Sequence, residues 1–149
     1  MRPRTLVTIF LLALAALIPF ARIFGQGAGE YQGFIDDAQP YQIINLPDVP
    51  DGANIIIEVE TTSGNLDPMA VLFFENSIWA AQNDDRAPGN PNSYLKYERA
   101  PGGDYYVAVT RYGVERGETS GNFTARVIIN SAIAVPLSSV NETTMPDPD

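Results

Sequence analysis

Cysteine and histidine are both absent from the 149 residues of this chain. Without cysteine no disulfide can brace the fold, and without histidine neither a Ser-His-Asp nor a Cys-His catalytic site can be built. A zinc site with cysteine and histidine ligands is excluded for the same reason. The oxygen ligands that remain are those that calcium prefers. Calcium is therefore the expected ion if the chain binds a metal.

Positive charge is also scarce. Nine lysine and arginine residues stand against eighteen aspartate and glutamate residues, for a net charge of −9. Three of the nine cations precede residue 23, so the rest of the chain sets six cations against all eighteen acids, a net charge of −12. Such a surface repels nucleic acid and anionic lipid and favours divalent cations or cationic partners. We therefore expect no nucleic-acid partner.

The first 29 residues have the layout of a secretory signal peptide. Arg2 and Arg4 precede an uncharged apolar run over residues 5–21, and small residues follow at 25–29. This order of basic, apolar and small residues directs export. The run is also close to the minimum length of a spanning helix, so an uncleaved N-terminal anchor stays open as the alternative. We expect a secreted or cell-surface protein whose only membrane contact is through this segment.

Beyond residue 29 the pattern predicts an all-β domain. Apolar residues recur with a period of two, and turn residues interrupt them at short intervals. About eight strands can be counted, enough for two packed antiparallel sheets in a β-sandwich or jelly roll. The domain is expected to cover residues 30–130. A flexible tail is expected over residues 131–149, which lose the alternation and gain Pro, Ser, Thr and Asp.

Alternation also predicts which side chains face the core. It is clearest in residues 53–61 and 105–112, where every second residue is apolar. A strand of this kind has one buried face and one wet face. The residues expected in the core by this rule are Ile55, Ile57, Val59, Trp79, Tyr97, Tyr105, Val107 and Val109.

Two acidic turns flank the most apolar stretch of the chain. Residues 69–75 and 78–83 are predicted to pair as a hairpin. Asp67 precedes the first of these strands, while Asp84 and Asp85 follow the second. Because the two arms are equal in length, antiparallel pairing brings both turns to the same end of the hairpin.

Asp67, Asp84 and Asp85 are therefore the candidate ligands of a calcium ion. Calcium needs six to eight oxygens around one point, so backbone carbonyls would complete the site. The alternative is that these residues form Asx-type turns, which need no ion. The sequence leaves both interpretations open.

Three motifs, in this order, resemble the bacterial pre-peptidase C-terminal (PPC) domain. They are Leu66-Asp67-Pro68, Asn83-Asp84-Asp85 and the segment "PGGDYYVAV" at residues 101–109. The resemblance extends over residues 31–129. One departure is the hairpin tip, which is often Asp-x-x-Gly in the family and is Glu75-Asn76-Ser77 here.

The resemblance implies a β-sandwich of jelly-roll type, found as an accessory module of secreted peptidases and other exported proteins. Relatives in bacterial collagenases bind collagen and calcium. Their calcium ligands lie in an acidic N-terminal stretch, and the spacing of Glu30, Asp36 and Asp37 does not match it. Fold, export and an accessory role are therefore carried over, whereas collagen binding is not.

The expected function is that of an exported, non-catalytic accessory or binding module. The alternative is a calcium-supported module that binds carbohydrate or a matrix protein, so the partner is an unidentified extracellular protein or polysaccharide. Tyr94, Tyr106 and Tyr112 are the tyrosines expected to be exposed for stacking on sugar. No catalytic residue is predicted, because the acids lie in turns with no apolar cleft to raise the pKa of a carboxyl group.

Overall fold

The computed structural model describes residues 23–131, with side chains from Gly27 onward. The nine strands, in chain order, are β1 (Ile23–Gln26), β2 (Gly29–Ile35), β3 (Tyr41–Val49), β4 (Ala53–Thr61), β5 (Pro68–Phe74), β6 (Ile78–Asn83), β7 (Ser93–Ala100), β8 (Gly103–Arg111) and β9 (Gly121–Asn130). Short 3-10 segments follow β5 and β8, at Glu75–Ser77 and Val114–Arg116.

The strands form two sheets. Sheet A has five strands in the order β1-β3-β8-β5-β6, and sheet B has four in the order β2-β9-β4-β7. Every neighbouring pair is antiparallel except β1 and β3, which run parallel. The predicted all-β fold, an antiparallel β-sandwich of jelly-roll type, is confirmed.

Strand β1 lies inside the stretch that the sequence assigns to the signal peptide. It pairs with the edge of sheet A, with Ile23 beside Ile43. The rest of that stretch, residues 1–22, lies outside the described residues, as does the predicted tail beyond Ser131. The boundaries of the three predicted regions thus stay predictions. Among residues 23–131, no helix has the length and apolar character needed to cross a membrane.

The main core lies between the two sheets. Strand β4 alternates between buried and half-buried residues along its length, and Ile55, Ile57 and Val59 are all fully buried. They pack with Leu72 and Val107 of sheet A in one apolar cluster. The core positions predicted from alternation in β4 and β8 are confirmed, because each strand has one face toward the facing sheet.

Trp79 was expected in the core, and this expectation is wrong: 54% of Trp79 is exposed. The reason is a register shift between β5 and β6. Ala81 lies opposite Leu72, but Trp79 lies opposite Phe73, so one extra residue, Ala80, is accommodated between the two pairs. Such a bulge reverses the alternation on one side of it, so Trp79 and Ala81 face opposite sides of the sheet although they are two residues apart. Trp79 therefore shares the outer face of sheet A with Phe73.

The tip of the β5–β6 hairpin keeps a left-handed backbone without glycine. Asn76 has φ of 56° and Ser77 has φ of 61°. Asparagine tolerates this region better than most residues, because its side chain can bond to nearby backbone. The departure from the family's usual tip therefore still allows a tight turn.

Candidate binding surface

The two acidic turns lie at the same end of the β5–β6 hairpin, as the sequence predicts. Ala70 pairs with Asn83, so Asp67 lies just before the paired residues of β5 and Asp84 just after those of β6. The Asp67 carbonyl accepts a 2.8 Å hydrogen bond from the Tyr112 N–H, and its own N–H donates to the Thr119 hydroxyl at 3.2 Å. The Asp67 backbone is thus bound to the loop after β8.

This proximity does not assemble a group of three ligands. Within residues 23–131, no three acidic side chains lie together in a way that could hold a metal ion. Asp67 and Asp84 are half-buried, whereas Asp85 is exposed to solvent. Calcium binding by Asp67, Asp84 and Asp85 therefore stays a prediction that the arrangement of the carboxylates does not support.

Asn83, the first residue of the second motif, links the two sheets. Its side-chain amide donates to the carbonyls of Tyr94 at 2.6 Å and Asp85 at 2.9 Å. The buried Ser93 hydroxyl donates to the Asn83 carbonyl at 2.7 Å and accepts from the Ala70 N–H at 3.2 Å. We call these four bonds the Asn83–Ser93 clamp. It joins β5 and β6 of sheet A to β7 of sheet B at one end of the sandwich.

Replacing Ser93 with alanine is expected to lower the free energy of unfolding by about 1–3 kcal/mol. The substitution leaves the Ala70 N–H without its acceptor in a buried position, and an unsatisfied buried donor costs about that much. Urea denaturation measures the loss. Ser63→Ala is the control, because Ser63 is exposed and its loss should stay within about 0.5 kcal/mol. Equal losses in the two variants would contradict a structural role for the clamp.

The loop after the second motif is bound to the outer face of sheet B. Arg86 bonds to Glu60 at 3.1 Å and to Glu58 at 3.3 Å, and its guanidinium lies 5.8 Å from the centre of the Tyr94 ring. Exposed pairs of this kind contribute little stability. They do place one of the few cations of the domain over a strand that carries two acids.

Arg111 is a residue to which the sequence assigned no role. Only 1% of it is exposed, and its guanidinium makes three bonds. It donates to the Val114 carbonyl at 2.9 Å, the Thr119 carbonyl at 2.8 Å and the Asp37 carboxylate at 2.8 Å. These bonds join the loop after β8 and the β2–β3 connection to the end of β8. The detectable signal was an arginine within a strand of mostly apolar residues.

A groove lies on the outer face of sheet B. Its volume is about 550 Å³. Phe34 is opposite Asn122 and Gln32 is opposite Thr124, so these four side chains share one face of the β2–β9 pair. The lining is Gln32, Gly33, Phe34, Thr62, Ser63, Asn122, Phe123 and Thr124.

The groove is uncharged, polar and partly aromatic. None of its lining residues is acidic or basic, although the chain as a whole carries a net charge of −9. Phe34 is 41% exposed, one of three large apolar side chains exposed in the described residues. The Asn122 side-chain amide nitrogen donates to the Ser63 hydroxyl at 2.6 Å, and the Asn122 side-chain amide oxygen can act as an acceptor. The groove therefore offers a ring face beside amide and hydroxyl groups.

Sequence reasoning did not identify these residues. The one local signal is that Phe34 directly precedes the buried Ile35, and adjacent residues of a strand cannot face the same side. Tyr94, Tyr106 and Tyr112, the tyrosines expected to be exposed, are half-buried. Among residues 27–131 the exposed aromatic residues are Phe34 and Trp79 instead.

Residues 48–111 match the family model of the bacterial pre-peptidase C-terminal domain. This part of the chain is therefore similar to the PPC family. The matched stretch contains all three motifs on which the sequence resemblance depends, so that resemblance is confirmed. PPC domains are non-catalytic accessory domains of the kind appended to secreted peptidases.

Two solved structures are among those similar to this chain. The pre-peptidase C-terminal domain of a collagenase from Bacillus anthracis is 20% identical, with a TM-score of 0.56, over 72% of this chain and 96% of that one. PliG of Salmonella Typhimurium, a periplasmic inhibitor of g-type lysozyme, is 15% identical with a TM-score of 0.46, over 70% of this chain and 89% of that one. No curated protein sequence matches the chain.

The groove lies mostly outside the stretch that matches the PPC family model. Of its lining residues, only Thr62 and Ser63 fall within residues 48–111. The Asn83–Ser93 clamp and Arg111, in contrast, lie inside it. The family match thus accounts for the framework of the domain and leaves the ligand of the groove to be argued from its chemistry.

A second set of acidic residues lies at the end of the domain opposite Asp67 and Asp84. Their carboxylates accept hydrogen bonds from backbone N–H groups. The Asp104 carboxylate accepts from the Asp48 N–H at 3.0 Å, and the Asp51 carboxylate accepts from the Gly102 N–H at 3.3 Å. Glu75 accepts from the Asp104 N–H at 3.4 Å. Each carboxylate accepts a hydrogen bond from a backbone N–H between strands, which is a common role of acidic residues in turns.

Tyr105, next to these acids, makes the domain less stable as the pH becomes alkaline. Burial raises the pKa of Tyr105 to about 12 from 10, and Tyr97, Glu75 and Asp51 add to the effect. Its hydroxyl donates to the Pro101 carbonyl at 3.0 Å. Below pH 10 the Tyr105 hydroxyl is protonated in both the folded and the unfolded protein, so the full stability of the fold is present. As the pH rises toward 12 the hydroxyl ionises first in the unfolded protein, and the free energy of unfolding falls.

We expect the free energy of unfolding to fall by about 2–3 kcal/mol between pH 10 and pH 12 through Tyr105 alone, since each pKa unit corresponds to about 1.4 kcal/mol. Urea denaturation across this range measures the fall. Tyr105→Phe should remove that part of the pH dependence. An identical fall in the phenylalanine variant would show that other groups cause it.

Proposed function

We propose that the protein is an exported, non-catalytic binding module that holds an uncharged polysaccharide in the groove between β2 and β9. The observation that supports this most directly is the chemistry of the groove. It combines one exposed aromatic ring with amides and hydroxyls, and no charged side chain lines it. An accessory role beside a secreted peptidase agrees with the PPC family match, and export agrees with the predicted signal peptide.

The groove suits a sugar because a pyranose ring has an apolar face and a rim of hydroxyl groups. The exposed Phe34 ring presents an apolar plane on which such a face can stack. Gln32 and Asn122 offer amide groups, and the hydroxyls of Thr62, Ser63 and Thr124 both donate and accept. A volume of about 550 Å³ falls within the range of small-molecule sites and has room for a few sugar units.

Binding without catalysis follows from the same lining. Hydrolysis of a glycosidic bond ordinarily uses two carboxyl groups on either side of the bond. The groove has no acidic residue, and the acids at the two ends of the sandwich include several that accept hydrogen bonds from backbone. The alternative of calcium support for the binding loops stays a prediction, as does a matrix-protein ligand.

Retention on insoluble polymers tests the proposal. Cellulose, chitin and starch are the neutral polysaccharides, and insoluble collagen is the protein comparison. We expect retention on at least one polysaccharide and a loss of about tenfold in affinity for Phe34→Ala, which corresponds to about 1.4 kcal/mol of lost stacking. Trp79→Ala is the matched control, because Trp79 is exposed to a similar degree on the other sheet. It should bind like the unaltered protein.

Three results would overturn the proposal. The first is no retention on any neutral polysaccharide. The second is equal loss in the Phe34 and Trp79 variants, which would place the ligand away from the groove. The third is retention on collagen alone, unaffected by Phe34→Ala, which would favour the matrix-protein alternative.

A further inference from the structure

Strand β6 forms one edge of sheet A and carries two exposed apolar side chains. It is the last strand in the order of the sheet and pairs only with β5. Ile78 is 58% exposed and Trp79 is 54% exposed. Together with Phe34 of the groove, they are the large apolar side chains exposed among residues 27–131. Large apolar side chains exposed next to each other are typical of a surface that binds a partner.

The edge of β6 is poorly protected against pairing with another strand. Edge strands usually carry charged residues or proline for this purpose, and β6, with the sequence "IWAAQN", has neither. Only the bulge at Ala80 interrupts it. The neighbouring edge strand of sheet B, β7, carries Lys96, Glu98 and Arg99. Among the described residues, the backbone of residues 79–82 has no backbone partner outside β5.

We propose that β6 binds an extended, basic segment of another protein, which adds to sheet A as a sixth strand. Main-chain hydrogen bonds to the free side of β6 would hold such a segment in place. Adjacent residues of a strand face opposite sides of the sheet, so Ile78 and Trp79 lie on two different faces. The side chains of an extended peptide alternate in the same way, so its apolar residues can contact both.

The charges at the two ends of β6 favour a basic segment. Glu75 lies just before the strand, and Asp84 and Asp85 directly follow it. Within residues 27–131, no lysine or arginine forms an ion pair with Glu75 or Asp85. The six residues of β6 span about 20 Å, so a peptide of about nine residues extends past both ends. Lysine or arginine at its ends would then lie near the carboxylates.

A second copy of this chain fits the edge less well. Antiparallel pairing of two β6 strands would bring Glu75 of one copy beside Asp84 and Asp85 of the other. Parallel pairing would bring each acidic end beside its own counterpart. Both arrangements place like charges together, in a chain whose net charge is already −9.

The proposed peptide site is separate from the glycan groove. The groove lies between β2 and β9 of sheet B, whereas β6 belongs to sheet A. The proposal therefore goes beyond the binding of polysaccharide, and failure of one does not affect the other.

A phage-displayed library of random nine-residue peptides, selected on the full chain, tests the proposal. We expect the enriched peptides to have apolar residues at alternate positions and lysine or arginine near both ends. Trp79 is the one tryptophan of the chain, so its emission reports binding directly. An enriched peptide without tryptophan should shift this emission to shorter wavelength, because the added strand covers the exposed ring.

Two matched variants test whether β6 is the site. Ile78→Lys places a charge on the edge at a position exposed enough to keep the fold. It should weaken binding of a labelled enriched peptide at least tenfold, as measured by fluorescence anisotropy. Asn130→Lys makes the same change of charge at an exposed position of sheet B and should bind within twofold of the unaltered protein. Both variants should keep its circular dichroism spectrum.

N-methylation of the peptide tests the main-chain bonds. Methyl groups on either the odd or the even residues block one of its two edges, because they remove the N–H donors there. One of the two forms should therefore bind at least tenfold more weakly than the parent peptide.

Several results would overturn the proposal. These are the absence of any enriched peptide, enrichment of peptides without basic residues, equal binding by the Ile78 and Asn130 variants, and unchanged binding by both methylated forms. A dimer in analytical ultracentrifugation that Ile78→Lys dissociates would show instead that β6 pairs with a second copy of the chain.

Discussion

Replacing Arg111 with alanine should lower the free energy of unfolding by about 3–5 kcal/mol, the largest effect expected for any single substitution considered for this protein, because buried hydrogen bonds are lost and a cavity is left. Its guanidinium is almost fully buried and makes three bonds, two of them to backbone carbonyls. Removal takes the guanidinium donor from the Thr119 carbonyl and leaves the Val114 carbonyl with only the Gly117 N–H, at 3.2 Å. It also leaves a cavity beside Gly117, which lies against the arginine stem.

The two carbonyl bonds, rather than the ion pair, are expected to carry most of this effect. The Asp37 side chain is 92% exposed, so its pairing with Arg111 is screened by water. Asp37→Asn should therefore cost less than about 1 kcal/mol. Arg111→Lys keeps the charge but loses the planar fork that reaches three acceptors, so it should retain only part of the stability.

Chemical denaturation of the unaltered protein and the four variants decides this prediction. Arg126→Ala serves as the control, because Arg126 is 56% exposed and pairs only with acids on the surface of sheet B. It should unfold within about 1 kcal/mol of the unaltered protein. A loss for Arg111→Ala no greater than that of Arg126→Ala would show that the loop after β8 is held by other contacts.

Gly64→Ala is expected to lower the free energy of unfolding by about 2–4 kcal/mol, the second largest effect. Gly64 has φ of 79°, a left-handed conformation that costs a residue with a side chain about 1–2 kcal/mol. A β-carbon there would also overlap the Ser120 carbonyl and lie 2.9 Å from the α-carbon of Gly121. Both neighbours are backbone, so relieving the overlap adds about 1–3 kcal/mol.

Gly89→Ala separates the cost of the left-handed backbone from the cost of the overlap with neighbouring backbone. Gly89 has nearly the same backbone, with φ of 80°, but a β-carbon there would meet nothing within 4 Å. It should lose only the conformational part, about 1–2 kcal/mol. The difference between the two variants in urea denaturation then measures the crowding of the Gly64 turn against β9. Equal losses would mean that the turn moves away from β9 at no cost.

The acidic turns show how far sequence reasoning about a site could reach. Counting residues on either side of the hairpin tip placed Asp67 and Asp84 at the same end, because antiparallel pairing is a local rule with a fixed repeat. Whether the side chains converge on one point depends on how the backbone leaves each strand. Asn83 ties its turn to β7, a strand of the other sheet, and that contact cannot be read from the hairpin alone.

The fold class and most core positions follow from the sequence because the alternation of apolar and polar residues is a local property, which can be read in each strand separately. Ile55, Ile57 and Val59 are buried as their spacing predicts. Trp79 is exposed because a single extra residue in β6 changes the face, and the hydrophobicity of neighbouring residues does not reveal a bulge.

Only the tertiary structure decides the sites. The Arg111 guanidinium bonds to a carboxylate 74 positions away in the chain, and the groove joins Phe34 of β2 to Ser63 and to Asn122 of β9. Such groupings have no period and no fixed spacing, since they arise from the order in which strands enter the two sheets. The sequence therefore determines that an antiparallel β-sandwich forms, whereas strand order determines which uncharged side chains meet in the groove.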